Sequence, residues 1–200
     1  MRATVIDYKA GNLASVVKAL RHLGAEVTVT ESPDEIDAAE RIVLPGVGHF
    51  SATRRLDETG ISTAVRGAIA RGIPFLGICV GLQWLFAGST EAPDCAGLAA
   101  FPETCDRFAP GKKVPHVGWN SLDLRPGSRL FAGIPSESFA YFTHSYRAPV
   151  VTATVAVTDY DEPFTAAVEH ENVMGVQFHP EKSGEPGLLV LRNFLEWQPC

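Results

Sequence analysis

The sequence predicts an α/β fold: a mostly parallel central sheet flanked by helices, with an antiparallel portion in the second half. Three observations carry this. In the first half, short β-branched runs alternate with segments of helical periodicity, the pattern of strands joined by crossover helices. From Val114 onward, strands follow one another without long helices between them. Over Leu188 to Trp197 helical spacing returns, which predicts a closing helix packed back on the sheet.

Thr4 to Ile6 reads as the first strand. Beyond Gly11, the apolar positions Leu13, Val16, Val17, Leu20 and Leu23 follow the spacing of one helix face, and Gly24 is placed to end that helix. Glu26 to Thr30 gives a second strand. Arg41 to Leu44 gives a third that stops at Pro45-Gly46-Val47-Gly48, where proline removes a donor and the glycines permit unusual backbone angles. Helical segments between about Ser51 and Arg71 lead through Gly72 into a strand over Pro74 to Ile78. Gly81 to Phe86 reads as the next helix, so Cys79 falls at a strand-to-helix junction. In the second half, strands are expected over Phe139 to Tyr146 and Thr152 to Val157, then a hairpin from Thr165 to Phe178 turning near Glu171-Asn172. With no linker, repeat or low-complexity stretch, residues 1–200 read as a single domain.

Composition narrows the function classes. A formal net charge of -6, without a Lys/Arg run or interleaved aromatics, excludes a basic phosphate-binding face, so no nucleic-acid partner is expected. The N-terminal apolar run is too short for a signal segment or a membrane span, which predicts a cytoplasmic protein without membrane contact. Cys79, Cys95, Cys105 and Cys200 lack zinc-type spacing, and a chain this rich in apolar residues needs no disulfide staples.

Gly77-Ile78-Cys79-Val80-Gly81 has the form G-x-C-x-G, the thiol version of a nucleophile elbow. Small neighbours allow a sharp turn that lifts the nucleophile above the sheet, and a helix start favours a thiolate over a thiol. Taken alone, the five residues fit a buried structural cysteine equally well. About a hundred residues later, His179-Pro180-Glu181 follows the apolar strand Val173 to Phe178. Residues two apart in an extended segment point the same way, so Glu181 is placed to orient His179 while His179 faces Cys79. Alone, that tripeptide reads as a surface turn. Together, at the ends of two strands, the motifs predict a triad of Cys79, His179 and Glu181.

With Pro45-Gly46-Val47-Gly48, Gly77 to Gln83, His144-Ser145-Tyr146 and His179 to Ser183 in this order, the chain resembles the class I glutamine amidotransferases over nearly its whole length. Within that class it is similar to the glutaminase subunits of imidazole glycerol phosphate synthases, on Gly46-Val47-Gly48, Asp7-Tyr8, Gly11-Asn12, Pro115 to Asn120 and Tyr141-Phe142. Val80 and Leu82 stand where Leu and Met are commoner in the class, apolar exchanges both.

The resemblance implies hydrolysis of glutamine to glutamate and ammonia through the triad, with no metal and no cofactor. It implies oxyanion donors among Val47, Gly48 and Val80, and substrate contacts from Gly46, Gln83, His144, Ser145 and Tyr146. It also implies a heterodimer with a β/α-barrel cyclase subunit that receives the ammonia, met by Asn12, Trp119, Tyr141 and Lys182. Three other readings share the residues: a glutaminase serving another synthase such as a sugar-amidating enzyme, a γ-glutamyl hydrolase, and a catalytically dead regulatory module. The intact triad argues against the last.

Overall fold

The computed structural model describes residues 1–10, 12–111 and 113–198 of the chain; Gly11 and Cys200, both singled out above, lie outside the described residues. The first half contains β1 (Arg2–Ile6), α1 (Leu13–His22), β2 (Glu26–Thr30), α2 (Pro33–Asp37), β3 (Ile42–Gly46), α3 (Arg54–Glu58), α4 (Ile61–Ala70), β4 (Phe75–Cys79) and α5 (Val80–Trp84). The second half contains β5 (Phe86–Ser89), β6 (Phe101–Arg107), β7 (His116–Ser121), β8 (Asp123–Leu124), β9 (Phe139–His144), β10 (Tyr146–Arg147), β11 (Thr154–Asp159), β12 (Pro163–His170), β13 (Val173–Val176) and α6 (Gly184–Glu196). Single 3₁₀ turns precede α3 and α6. No described helix is long and apolar enough to cross a membrane.

The main sheet runs in the order β2-β1-β3-β4-β13-β12-β11-β8. Its first five strands are parallel and its last three antiparallel. The turn between β12 and β13, with Glu171 in the left-handed region, returns the chain so that β13 also lies parallel to β4. Central β4 is buried along its whole length, as a strand covered on both faces requires. Helix α1 buries Val16, Val17 and Leu20, the face its spacing predicts. The ends of β3, β4 and β13 converge at one edge, where ligands bind in open parallel sheets.

Five elements differ from the sequence-based expectation. Strand β3 runs through Pro45 to Gly46 rather than stopping before the proline. Pro45 is tolerated because Ile42 N–H points toward β4 and alternate residues point toward β1, whose pairing with β3 ends at Val43. The proline's missing donor therefore faces no partner. Helix α5 is one short turn from Val80 to Trp84, and Phe86 already belongs to β5. Continuous burial of this run gave no periodic signal to separate helix from strand. Helix α2 follows β2 with Pro33 in its first turn. Strand structure also starts earlier than Val114, since β5 and β6 form a small sheet with β10, beside a two-stranded sheet of β7 and β9.

Candidate active site

Cys79 ends β4 with φ 56° and ψ -107°, a backbone conformation that aims its side chain off the strand end. The flanking glycines are steric necessities. A β-carbon on Gly77 would collide with the Gly81 carbonyl, and one on Gly81 with the Leu44 carbonyl of β3. The elbow thus packs directly on its neighbour strand. Because α5 has only five residues, its first-turn N–H groups, rather than a long macrodipole, are what the helix offers the sulfur.

His179 comes from the adjacent strand, three residues beyond β13. Its Nδ1 lies 2.9 Å from Glu181 Oε1, with both side chains buried. The segment is held down by Ser183, whose Oγ donates to His179 O at 2.6 Å and accepts from Tyr141 N at 2.9 Å, while His179 N donates to Tyr141 O. Burial opposes a charged imidazole, but Cys79 and Glu181 on its two sides outweigh it and push His179 up to about 9. The Nε2 of His179 is buried without a hydrogen-bond partner, as is Glu181 Oε2.

Next to the thiol is a cavity of about 130 Å³ lined by Val47, Gly48, Cys79, Val80, Gln83, Glu91, Thr143, His144 and Tyr146. Gly46 and Ser145 are not among its walls; Gly46 pairs with Cys79 across β3 and β4. The His144 ring turns inward instead, accepting a hydrogen bond from His116 at 3.2 Å and donating through Nδ1 to Tyr146 O at 2.9 Å. Gln83 Nε2 donates to Tyr146 O at 2.9 Å and to Gln177 Oε1 at 3.2 Å, which uses both its N–H bonds. Gln83 therefore presents only its oxygen to the cavity.

Several residues around the site escaped sequence reasoning. Glu91 enters the cavity wall from the loop after β5, its carboxylate accepting from Phe50 N at 2.7 Å. Gln177 donates to Cys79 Sγ at 3.7 Å. Tyr8, two residues beyond β1 and marked in the sequence only as part of the Asp7-Tyr8 motif, places its hydroxyl against Gly46, where a β-carbon would stand 2.5 Å from it. Alternation along the strand before His179 was the one available signal, and it points to Gln177 alone.

The residues expected to meet a partner fall together. Trp119 and Tyr141 are cross-strand neighbours on β7 and β9 with ring centroids 6.0 Å apart, and Lys182 Nζ lies 5.8 Å from the Tyr141 ring. Trp119 is 56% exposed, and Val117 and Phe139 on the same face are equally open. Asn12 reaches inward: it makes no helix cap, and its Nδ2 donates to Glu181 Oε1 at 3.2 Å.

Comparison with known proteins supplies the family. The family model described as "Glutamine amidotransferase class-I" matches residues 4–197. The chain belongs to that family. Among its relatives, "Imidazole glycerol phosphate synthase subunit HisH" from Methanothermobacter thermautotrophicus is 50% identical, with 96% of each chain covered. The protein of the same name from Moorella thermoacetica is 48% identical, over 96% of this chain and 93% of the relative. In fold, the chain is similar to the structure titled "Structure of PurLQS from Thermotoga maritima", with a TM-score of 0.76 and 97% of each chain covered at 22% identity. It is also similar to the Trypanosoma brucei CTPS glutaminase domain with bound acivicin, with a TM-score of 0.68 at 16% identity over 100% of this chain and 96% of that one. Among the described residues, Cys79, Cys95 and Cys105 are free and buried.

Proposed function

We propose that this chain is the glutaminase subunit of an imidazole glycerol phosphate synthase, a single-domain cytoplasmic enzyme that hydrolyses glutamine and passes ammonia to a cyclase subunit. The observation that carries the chemistry is the buried His179, bonded to Glu181 and charge-coupled to Cys79 across adjacent strand ends.

Each step follows from the residues present. The Cys79 thiolate attacks the side-chain carbonyl carbon of glutamine, and the negative charge moves to the carbonyl oxygen. Main-chain N–H groups of Val80 and of the Val47-Gly48 segment are the donors for that oxyanion, and losing one costs about a hundredfold in rate. With His179 held up to about 9, its imidazolium form is populated at neutral pH. It gives its proton to the departing nitrogen as the C–N bond breaks. The now neutral His179 takes a proton from water, hydroxide adds to the thioester, and the C–S bond breaks to return the thiolate and release glutamate. Glu181 and, through it, Asn12 keep the ring oriented.

The cavity supplies orientation. The Gln83 oxygen and the Glu91 carboxylate, both acceptors, suit the α-ammonium of glutamine. Main-chain groups of Ser145 and Tyr146, beside the His144 ring, are assigned to the opposite end, and Gly46, behind the lining beside Cys79, leaves room for the turn that presents the Val47-Gly48 donors. Ammonia lost to water is protonated and ceases to be a nucleophile, so the site needs a partner that takes it up directly. The open apolar face of Val117, Trp119, Phe139 and Tyr141, flanked by Lys182, supports docking of that cyclase subunit.

The test is release of ammonia and glutamate from glutamine by the purified chain, alone and with a cyclase subunit and its ribonucleotide. Strong activation by the pair, abolished by Cys79→Ala and weakened by Trp119→Ala, is expected. Activity indifferent to the cyclase would redirect the chain to another acceptor, and turnover surviving Cys79→Ala would end the thiol mechanism.

A further inference from the structure

Gln177 takes no part in the steps above, yet its side chain reaches the nucleophile. It is fully buried and lies one step past the last β13–β4 pair, Val176 with Ile78, so it stands level with Cys79. It also lies two positions before His179, and the two side chains leave this extended segment on the same side. Its Nε2 is 3.7 Å from Cys79 Sγ, and its Oε1 is 3.2 Å from Gln83 Nε2.

One main-chain group fixes the directions of this chain of bonds. Tyr146 O is a carbonyl and only accepts, so the Gln83 atom 2.9 Å from it is nitrogen. The second N–H of that nitrogen points to Gln177, whose oxygen must face Gln83. The Gln177 nitrogen is then left facing sulfur. A flipped Gln83 amide would set its oxygen against the Tyr146 carbonyl oxygen, and a flipped Gln177 amide would set nitrogen against the Gln83 nitrogen.

We propose that Gln177 is a further catalytic residue: its Nε2–H donates to the Cys79 sulfur and favours the thiolate, while its Oε1 locks Gln83 with its oxygen toward the substrate ammonium. Neutral sulfur is a weak acceptor, whereas a hydrogen bond to an anion is about twice as strong as one between neutral groups. The donor therefore acts at two moments. It stabilises the attacking thiolate in the free enzyme, and it receives the same thiolate when the thioester C–S bond breaks and the electron pair returns to sulfur. Between them, one amide joins recognition of the substrate's α-ammonium to the charge state of the nucleophile.

The inference rests on Cys79 as the nucleophile, and it is tested by a reaction that needs no glutamine. Alkylation of Cys79 by iodoacetamide, located by peptide mass and followed from pH 5 to 10 in the full chain, reads the thiolate directly. Gln177→Met keeps the length without the N–H, and Gln177→Glu sets an acceptor against sulfur. Both are expected to move the alkylation profile up by about one pH unit, which on its rising limb is about a tenfold slower rate. Glutaminase kcat should fall with it, and the KM for glutamine should rise by a smaller factor as Gln83 loses its lock.

A folded variant with an unmoved alkylation profile overturns the proposal. Independently of any change at residue 177, the side-chain amide protons of Gln177 in the unmodified protein should shift with pH in step with alkylation. That step should vanish in Cys79→Ala, and amide protons indifferent to both also overturn the proposal. A chain inert toward glutamine whose variants nonetheless show the moved profile would sink the glutaminase reading and leave the Gln177 bond standing.

Discussion

Two buried histidine clusters sit in this molecule, and their histidines are driven in opposite directions. In the first, His116 and His144 lie among Phe108, Phe142, Tyr160 and Phe164, with the His116 ring stacked 4.1 Å from Tyr160. Burial pushes His116 down to about 4 and His144 down to about 3. In the second, His179 is also buried, yet it is pushed up to about 9 because Cys79 and Glu181 flank it. Burial alone therefore says nothing about charge; the neighbours decide the sign.

Hydrogen bonding divides them as sharply. The His116–His144 chain is closed: Asn120 donates to His116, His116 donates to His144, and His144 donates to Tyr146 O. Only one tautomer of each ring satisfies this order. Around the triad the network is open, with Tyr8 Oη, His179 Nε2 and Glu181 Oε2 all buried and unpartnered. A buried group without a partner costs about 1–3 kcal/mol. Other such atoms are scattered through the protein, but His179 Nε2 is the ring nitrogen opposite the one held by Glu181, and Tyr8 Oη lies against Gly46, the partner of Cys79 across the strands.

The largest effect should come from removing the charge that separates the clusters. Glu181→Gln keeps the shape but removes one of the two anionic neighbours of the imidazolium, leaving Cys79, so the His179 titration should fall below its value of about 9. Glutaminase kcat should drop by about a thousandfold or more, as expected when a triad base loses its orienting anion. Imidazole NMR titration beside the steady-state assay checks both. A His179 that still titrates near 9 would mean that Cys79 alone sets its charge.

The pH dependence of stability sharpens the same contrast. His179 is raised above its unfolded value, so its contribution is complete below pH 6.5 and is lost as pH rises through about 9. His116 and His144 are depressed, so theirs is complete above pH 6.5 and is lost as pH falls through about 4 and 3. His116→Phe retains a ring between Tyr160 and Phe142 but removes one of two groups that take up a proton only on unfolding. Between pH 6.5 and 4, the fall in urea-unfolding free energy should become shallower by up to about 1.4 kcal/mol per pH unit. An unchanged acid limb would show that carboxylates dominate it.

The two clusters were unequally legible. G-x-C-x-G and His179-Pro180-Glu181 could be read because each fills a short contiguous stretch with local backbone logic, and β1, α1 and β2 could be read from period alone. Glu91, Gln177 and Tyr8 could not. Their roles depend on which strand lies beside which, and nothing in a single sequence says that β13 returns parallel to β4. Asn12 shows the same limit from the other side: the resemblance implies a partner contact for it, and its bond to Glu181, spanning 169 positions, was not legible in the sequence. His144, implied as a site residue by the resemblance, lines the cavity while both its ring nitrogens bond outside it, to His116 and to Tyr146 O.

The smallest effect tests whether the open network is truly open. Burial, together with the charge of Cys79, holds the Tyr8 phenol above its ordinary range, so it is a neutral donor at every working pH. Its hydroxyl lies against Gly46 with no acceptor in reach. Tyr8→Phe removes that unsatisfied group without emptying the space the ring fills, so the free protein should gain about 1 kcal/mol in stability. Loss of a hydrogen-bonded hydroxyl would have the opposite sign. A gain in melting temperature with a lowered kcat would mean that the orphan donor finds its partner only when substrate is present. A gain with unchanged kcat would make it a packing cost of the strand end, and a loss of stability would mean that the hydroxyl is already paired in the free protein.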